Sequence, residues 1–187
     1  MRTHPCFTLI ELIVVIAIIS VLAAIIAPNA FRAIEKAKVA KVVSDAKNIK
    51  TAAYNMYADT GFWPGSNWAD DSDHDDLSGA EAGEGFVSDP GVDDWEGPYL
   101  EKWSQNPWGG WYWWDYNQGD QNGDGISREH VLWIDNSRNN AGHRIPLSSR
   151  EKTDRVLDDG DLEEGRVQVW QGTPAGGNLG FILIQGE

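Results

Sequence analysis

The chain opens on a run of apolar positions with almost no polar interruption. Residues 7–28 read FTLIELIVVIAIISVLAAIIAP, and only Thr8, Glu11 and Ser20 are polar. A helix of roughly 20 such residues spans the ~30 Å hydrocarbon core of a bilayer. From residue 29 the pattern changes. Val42, Ala46, Ile49, Ala53 and Met56 recur at helical spacing and draw one apolar face on a helix that otherwise carries Lys, Asp and Asn. Gly61 and Pro64 stop it. The two halves together predict one helix of roughly 50 residues, about 80 Å long. Its second half is too polar for lipid and must pack on the rest of the chain.

Beyond residue 61 the apolar segments are short. Residues 61–98 are rich in Gly, Asp and Ser, hold Pro64, Pro90 and Pro98, and read as loop rather than core. Asn106-Pro107-Trp108-Gly109-Gly110 marks a turn, and residues 111–116, WYWWDY, have the aromatic richness of a strand. Trp111 and Trp113 then face one side of that strand, Tyr112 and Trp114 the other. One set is expected on the long helix, the other on a sugar-binding or subunit-packing surface. Residues 130–134, 167–170 and 181–184 are further strands. Residues 139–161 are polar and read as a long surface excursion, part of a weakly patterned stretch from 137 to 165.

Charge sharpens this division. The formal net charge is −14. Residues 1–28 balance to zero (Arg2 against Glu11), residues 29–60 carry +3, and residues 61–187 therefore carry −17. All ten tryptophans lie beyond residue 61. The expected segments are a leader at 1–6, an apolar helix at 7–28, its amphipathic continuation at 29–60, and an acidic, Trp-rich head at 61–187. An acidic head disfavours nucleic acid, whose phosphates demand a basic footprint. Cys6 is the only cysteine, so no intrachain disulfide is possible.

Glu11 is the residue any reading must explain, because a carboxylate in an apolar span is expensive and marks a functional site. A cleaved secretory signal, with Ala23 and Ala24 as its small residues, leaves Glu11 without a purpose. A plain membrane anchor does the same. A lipoprotein anchor on Cys6 fails because that cysteine precedes the apolar segment.

The short leader with Arg2, the motif Phe7-Thr8-Leu9-Ile10-Glu11, about twenty apolar residues and Pro28 together resemble the N-terminus of type IV pilins and of the pseudopilins of type II secretion systems. In the head, Gly97-Pro98-Tyr99-Leu100 followed by Asn106-Pro107-Trp108-Gly109 is similar to the major pseudopilin, with Asn106 where that family usually has Asp. The resemblance is carried by residues 1–64 and 97–135. It implies an α+β, pilin-like fold, with one long N-terminal helix packed on a small antiparallel β-sheet head with long loops. It also implies cleavage by a prepilin peptidase between Cys6 and Phe7, and methylation of the new N-terminus. The family places Gly before the cut; Cys6 is likewise small. Glu11 would then pair with the N-terminal amine of a neighbouring subunit, since a buried carboxylate needs a partner. Pro28 would mark where the helix stretches on packing, or a simple kink at the membrane surface.

The partners implied are copies of the same chain in a helical filament, the prepilin peptidase, an assembly platform with its ATPase, minor pilins and the membrane. The subunit would sit in the inner membrane as a single-pass protein before assembly. Afterwards it would lie in a periplasmic or extracellular filament.

Two further features bear on chemistry. Asp120, Asn122 and Asp124 alternate before Gly125, as in the first half of an EF-hand-type calcium loop, with the Ile126 carbonyl as a further ligand. Position twelve is Val131 rather than Glu, so Glu129, Asp115 or Asp135 would have to complete the shell. A structural Ca²⁺ is one reading and a hydrophilic hairpin turn the other. The acidic loop Asp70, Asp71, Asp73, Asp75 and Asp76 around His74 reads as solvated. No nucleophile elbow, HExxH or P-loop occurs, so no enzyme is expected. The alternative function is a membrane-tethered carbohydrate-binding or glycoside-hydrolysing head, suggested by the tryptophans and carboxylates.

Overall fold

The computed structural model describes residues 7–65, 77–78, 85–117, 125–126, 129–134, 145–170 and 178–185. Helix α1 runs Leu9–Thr60, 52 residues, as the apolar and amphipathic patterns require. Pro28 lies inside it. Pro lacks an N–H, so the ladder loses one bond there while the helix continues. Gly61 ends it, with φ +75 and its N–H donating to the Tyr57 carbonyl at 2.8 Å. The chain forms two compact units, residues 1–37 and 38–187, so the helix belongs to both.

In the second unit the helix is a wall of the core. Val39, Val42, Val43, Ala46, Ile49, Ala52, Ala53 and Met56 are buried along one face. Strands β1 (Leu77–Ser78), β2 (Tyr112–Asn117), β3 (Glu129–Ile134), β4 (Val167–Trp170) and β5 (Asn178–Gln185) make one sheet in the order β1-β2-β3-β5-β4. Every pairing is antiparallel. Tyr112 pairs with Ile134 and Asn117 with Glu129, so residues 118–128 connect two hairpin-paired strands. The fold is α+β and pilin-like, as the sequence resemblance implies.

The alternation in β2 resolves as expected. Tyr112 and Trp114 are buried, and Trp111 and Trp113 are half-buried. Tyr112 reaches the helix: its hydroxyl donates to Asp45 Oδ2 at 2.8 Å. Asp45 is itself buried and forms a second, charged contact with Lys41 one turn earlier. Burial and the Asp45 carboxylate raise the Tyr112 phenol far above its usual range, so it stays a donor. Burial lowers His130 to about 3, which keeps its imidazole neutral in the core.

Two readings of the loops are corrected. Residues 61–98 do contribute core: Phe86 and Trp63 are buried in the same cluster as the helix face. Their aromatic side chains, isolated among Gly and Asp, carry no periodicity by which to find them. Residues 139–161 are more than a surface excursion, because α2 spans Leu147–Leu157. Its pattern is inverted. Ser149, Arg150, Thr153 and Asp154 are buried, while Leu147 and Val156 are exposed, so a search for an apolar face passes it by.

The Asp45–Tyr112 contact seats the sheet on the helix. Tyr112→Phe keeps the ring and removes the donor, leaving a buried carboxylate oxygen short of a partner. The expected loss is about 1–3 kcal/mol, read as a lower melting temperature. A double-mutant cycle with Asp45→Asn should give a coupling energy of at least about 0.5 kcal/mol.

Candidate functional site

The start of α1 is chemically the most specific part of the chain. Thr8 precedes the first helical residue and Glu11 lies three positions on. The Glu11 N–H donates to Thr8 Oγ1 at 3.3 Å, and the Thr8 N–H donates to Glu11 Oε2 at 2.9 Å. The Thr8 hydroxyl also donates to Oε2, at 2.7 Å. This is a capping box, in which cap and third residue satisfy each other's orphan backbone donors. The sequence Thr-x-x-Glu spells it. Among the described residues Glu11 Oε1 accepts no bond. Further along, the Ser20 hydroxyl donates to the Ile16 carbonyl at 2.7 Å, so this polar side chain too is satisfied inside its own helix.

Around these groups lies an apolar sleeve. From Phe7 to Ile34 every large apolar side chain keeps between 46% and 76% of its surface exposed. Residues 12–16 are consecutive, so the sleeve goes all the way round the helix. The most apolar window of 18 residues has no part buried, and it is long enough to cross a membrane. A helix apolar on every side belongs in lipid or among other apolar helices. Phe7 and Glu11 line one shallow groove with Ile10, Val14 and Val15. Pro28 lies more than four turns beyond Glu11 and takes no part in it. Cys6 lies outside the described residues.

The candidate calcium ligands are spread differently. Asp120, Asn122, Asp124 and Asp135 lie outside the described residues, as does the acidic stretch 70–76. Gly125 has φ +88, the left-handed backbone that position six of a calcium loop requires. Ile126 is exposed. Glu129 is buried in β3, where its Oε1 accepts from Gln185 Nε2 at 2.9 Å. Asp115 Oδ2 accepts from Trp133 Nε1 at 3.3 Å. Both carboxylates are thus engaged within the sheet.

The turn motifs that pointed to a pilin-like head are built as the sequence suggested. Asn106 Oδ1 accepts from the amides of Trp108 (2.9 Å) and Gly110 (3.3 Å). Its Nδ2 donates to the Trp111 carbonyl at 3.4 Å, a bond that Asp in this place would not make. The Tyr99 hydroxyl donates to Asp59 Oδ2 at 2.8 Å and so ties the Gly97–Leu100 segment to the end of α1. Gly97 is required by space, since a Cβ there would stand 2.3 Å from the Trp95 ring.

Residues 33–126, half of the chain, match the family model described as PilW, C-terminal. The chain belongs to this type IV pilus-associated family. No curated protein and no solved structure matches it. The PilW match takes in the helix–sheet seat of Asp45 and Tyr112, the Asn106 turn and the whole of β2. The capping box lies ahead of it, and α2, β4 and β5 lie after it. The family is structural or assembly-related and tied to pilus biogenesis.

Removing either half of the capping box should fray the first turn. Thr8→Ala or Glu11→Ala in detergent micelles is expected to cost about 1 kcal/mol of local helix stability. The readout is faster amide hydrogen exchange over residues 8–12, with exchange over residues 39–56 unchanged.

Proposed function

We propose that this chain is a structural subunit of a type IV pilus or related filament, made as a membrane-inserted prepilin. The observation that carries the reading is the sleeve from Phe7 to Ala27, apolar on every side and carrying one charged group, Glu11, near its start. Outside a bilayer each such side chain gains about 1.5–3 kcal/mol once it is covered. The helix therefore stays in lipid until other helices of the same kind can take the place of lipid. The prepilin peptidase cuts between Cys6 and Phe7 and methylates Phe7. An assembly platform and its ATPase then draw the helix out of the inner membrane, and the subunit enters a periplasmic or extracellular filament alongside minor pilins.

Glu11 gives the polymer its register. One carboxylate oxygen caps its own helix, and Oε1 has room for a second donor. The amine of a neighbouring Phe7 is a charged donor of the right sign, and attraction between the two is strong in an apolar core. Between a pilus and a secretion pseudopilus, the PilW match favours the pilus. The head acts in packing, with no chemistry of its own. The loop with Asp120, Asn122 and Asp124 holds a calcium ion that fixes the β2–β3 connection in place of a disulfide.

Three measurements test this. Mass spectrometry of the subunit from sheared fibres should give a chain that begins at methylated Phe7. A chain beginning at Met1, or ending its leader at Ala24, would exclude prepilin processing. Glu11→Ala should cut fibre yield by an order of magnitude or more, while Glu11→Asp retains part of it; wild-type yield from Glu11→Ala would remove the register role. For the loop, Asp124→Asn should lower the melting temperature in calcium and leave it unchanged in chelator. Equal effects in both would leave only a hairpin turn.

A further inference from the structure

Negative charge gathers where α2 ends. Asp154 lies on its last turn, Asp158 is the C-cap residue and Asp159 follows. One carboxylate oxygen from each of the three lies within 4.8 Å of the others. Two calcium–oxygen bonds of about 2.4 Å, end to end, cover that span. The carbonyl end of a helix adds partial negative charge and favours a cation further.

Asp154 is what separates this cluster from an ordinary acidic surface. It is 0% exposed, and neither of its carboxylate oxygens accepts a hydrogen bond of good geometry, although the Gly160 amide approaches it. Among the described residues no lysine or arginine pairs with it. A buried carboxylate left in that condition is costly, and folded chains supply a counter-charge or a donor. Asp158, Asp159 and Asp161, all of the same sign, add repulsion to the cost of burial.

The other two carboxylates are held in place by the backbone. Asp158 Oδ2 accepts from the Arg166 amide. Asp159 Oδ1 accepts from the Asp161 amide at 2.8 Å. The turn that brings them together depends on Gly165, at φ +79. A Cβ on that residue would stand 2.2 Å from Asp158 Oδ2 and 3.1 Å from Asp159 Oδ2. Space is kept open around the carboxylates, and their orientation is fixed before any ion arrives.

We propose that Asp154, Asp158 and Asp159 form a binding site for a structural calcium ion, which ties the end of α2 to the turn leading into β4. The donors are carboxylate oxygens alone, the set that suits a hard cation rather than zinc or copper. Calcium accepts six to eight oxygens in flexible geometry, and the exposed side of Asp159 leaves room for water to complete the shell. Magnesium demands a near-ideal octahedron and gives up its water reluctantly. This site shares no residue with the Asp120–Asp124 loop and does not depend on the filament reading.

The test uses the full chain in detergent micelles, stripped with a chelator and then given about 1 mM calcium, the range of extracellular calcium modules. Bound calcium is counted by equilibrium dialysis, and unfolding is followed by tryptophan fluorescence. Wild type should gain on the order of 5 °C in melting temperature. Asp154→Asn should bind one ion fewer, lose most of that gain, and melt in chelator at or above wild type because the unpaired charge is gone. Asp159→Asn, at an exposed position, should also bind one ion fewer; it carries the test should Asp154→Asn not fold. In an Asp124→Asn background the gain lost on Asp154→Asn should persist, which separates the two sites. Unchanged stoichiometry and an unchanged calcium shift in both Asp154→Asn and Asp159→Asn would overturn the proposal. So would an equal shift with magnesium.

Discussion

One helical face, from Val39 to Met56, is the surface on which the rest of the head depends. Apolar burial holds the sheet to it, but burial is non-directional and does not set where along the helix each segment lands. Directed contacts do that. Lys38 stands over the Trp108 ring, 5.8 Å from its centroid. Asp45 takes the Tyr112 hydroxyl, Tyr57 stacks on Trp63 with ring centroids 4.3 Å apart, and Asp59 takes the Tyr99 hydroxyl. These positions rise along the helix in the order 38, 45, 57, 59. They meet the Asn106 turn, β2, the segment after the helix and the Gly97–Leu100 segment in turn. The long loops between short strands thus each have an address on α1.

Tryptophan does the remaining work of holding those loops. A chain with one cysteine has no intrachain disulfide to draw on. Among the described residues, several indoles donate to groups distant in sequence or across the sheet. Trp95 reaches the Gly85 carbonyl, Trp103 that of Tyr112, Trp114 that of Pro64 and Trp133 the Asp115 carboxylate. Each side chain buries a large apolar ring and spends its one donor on a specific acceptor. The rings also touch in series. Trp63 and Trp114 both pack on His130, and Phe86 packs on Trp114 and Trp103. The His130 imidazole among them stays neutral because burial disfavours its charged form.

How far the sequence could be read depended on whether a segment's pattern matched its burial. The helix was legible over its whole length, since an all-apolar run and a one-sided apolar stripe are both strong periodic signals. Strands β2, β3, β4 and β5 were legible from aromatic and β-branched runs. The seat of Asp45 was not, because a polar residue on an apolar stripe looks like noise until its partner, 67 positions away, is known. Helix α2 was hidden for the opposite reason: its polar side is the buried one. At the candidate site, Phe7 and Glu11 were found from a family motif. The capping box is written in the same five residues, but a Thr-x-x-Glu spacing inside an apolar run does not by itself say which partner the carboxylate takes.

Glu11, Asp45 and Asp154 all sit where carboxylates are expensive, and each is handled differently. Glu11 turns to its own helix and takes two bonds from Thr8 on a single oxygen. Asp45 has a lysine one turn back and a phenol from the sheet, so both of its oxygens are engaged. Asp154 has neither, and the carboxylates of Asp158, Asp159 and Asp161 repel it. The differences fit the roles proposed for each. A group that only joins helix to sheet is best fully satisfied within the chain, as Asp45 is. A group that must recruit something from outside has to keep unused capacity. Glu11 keeps one oxygen, enough for a single charged donor, and the cap survives when that donor arrives. In the proposed filament, a subunit therefore meets its neighbour without first breaking the turn that positions the carboxylate.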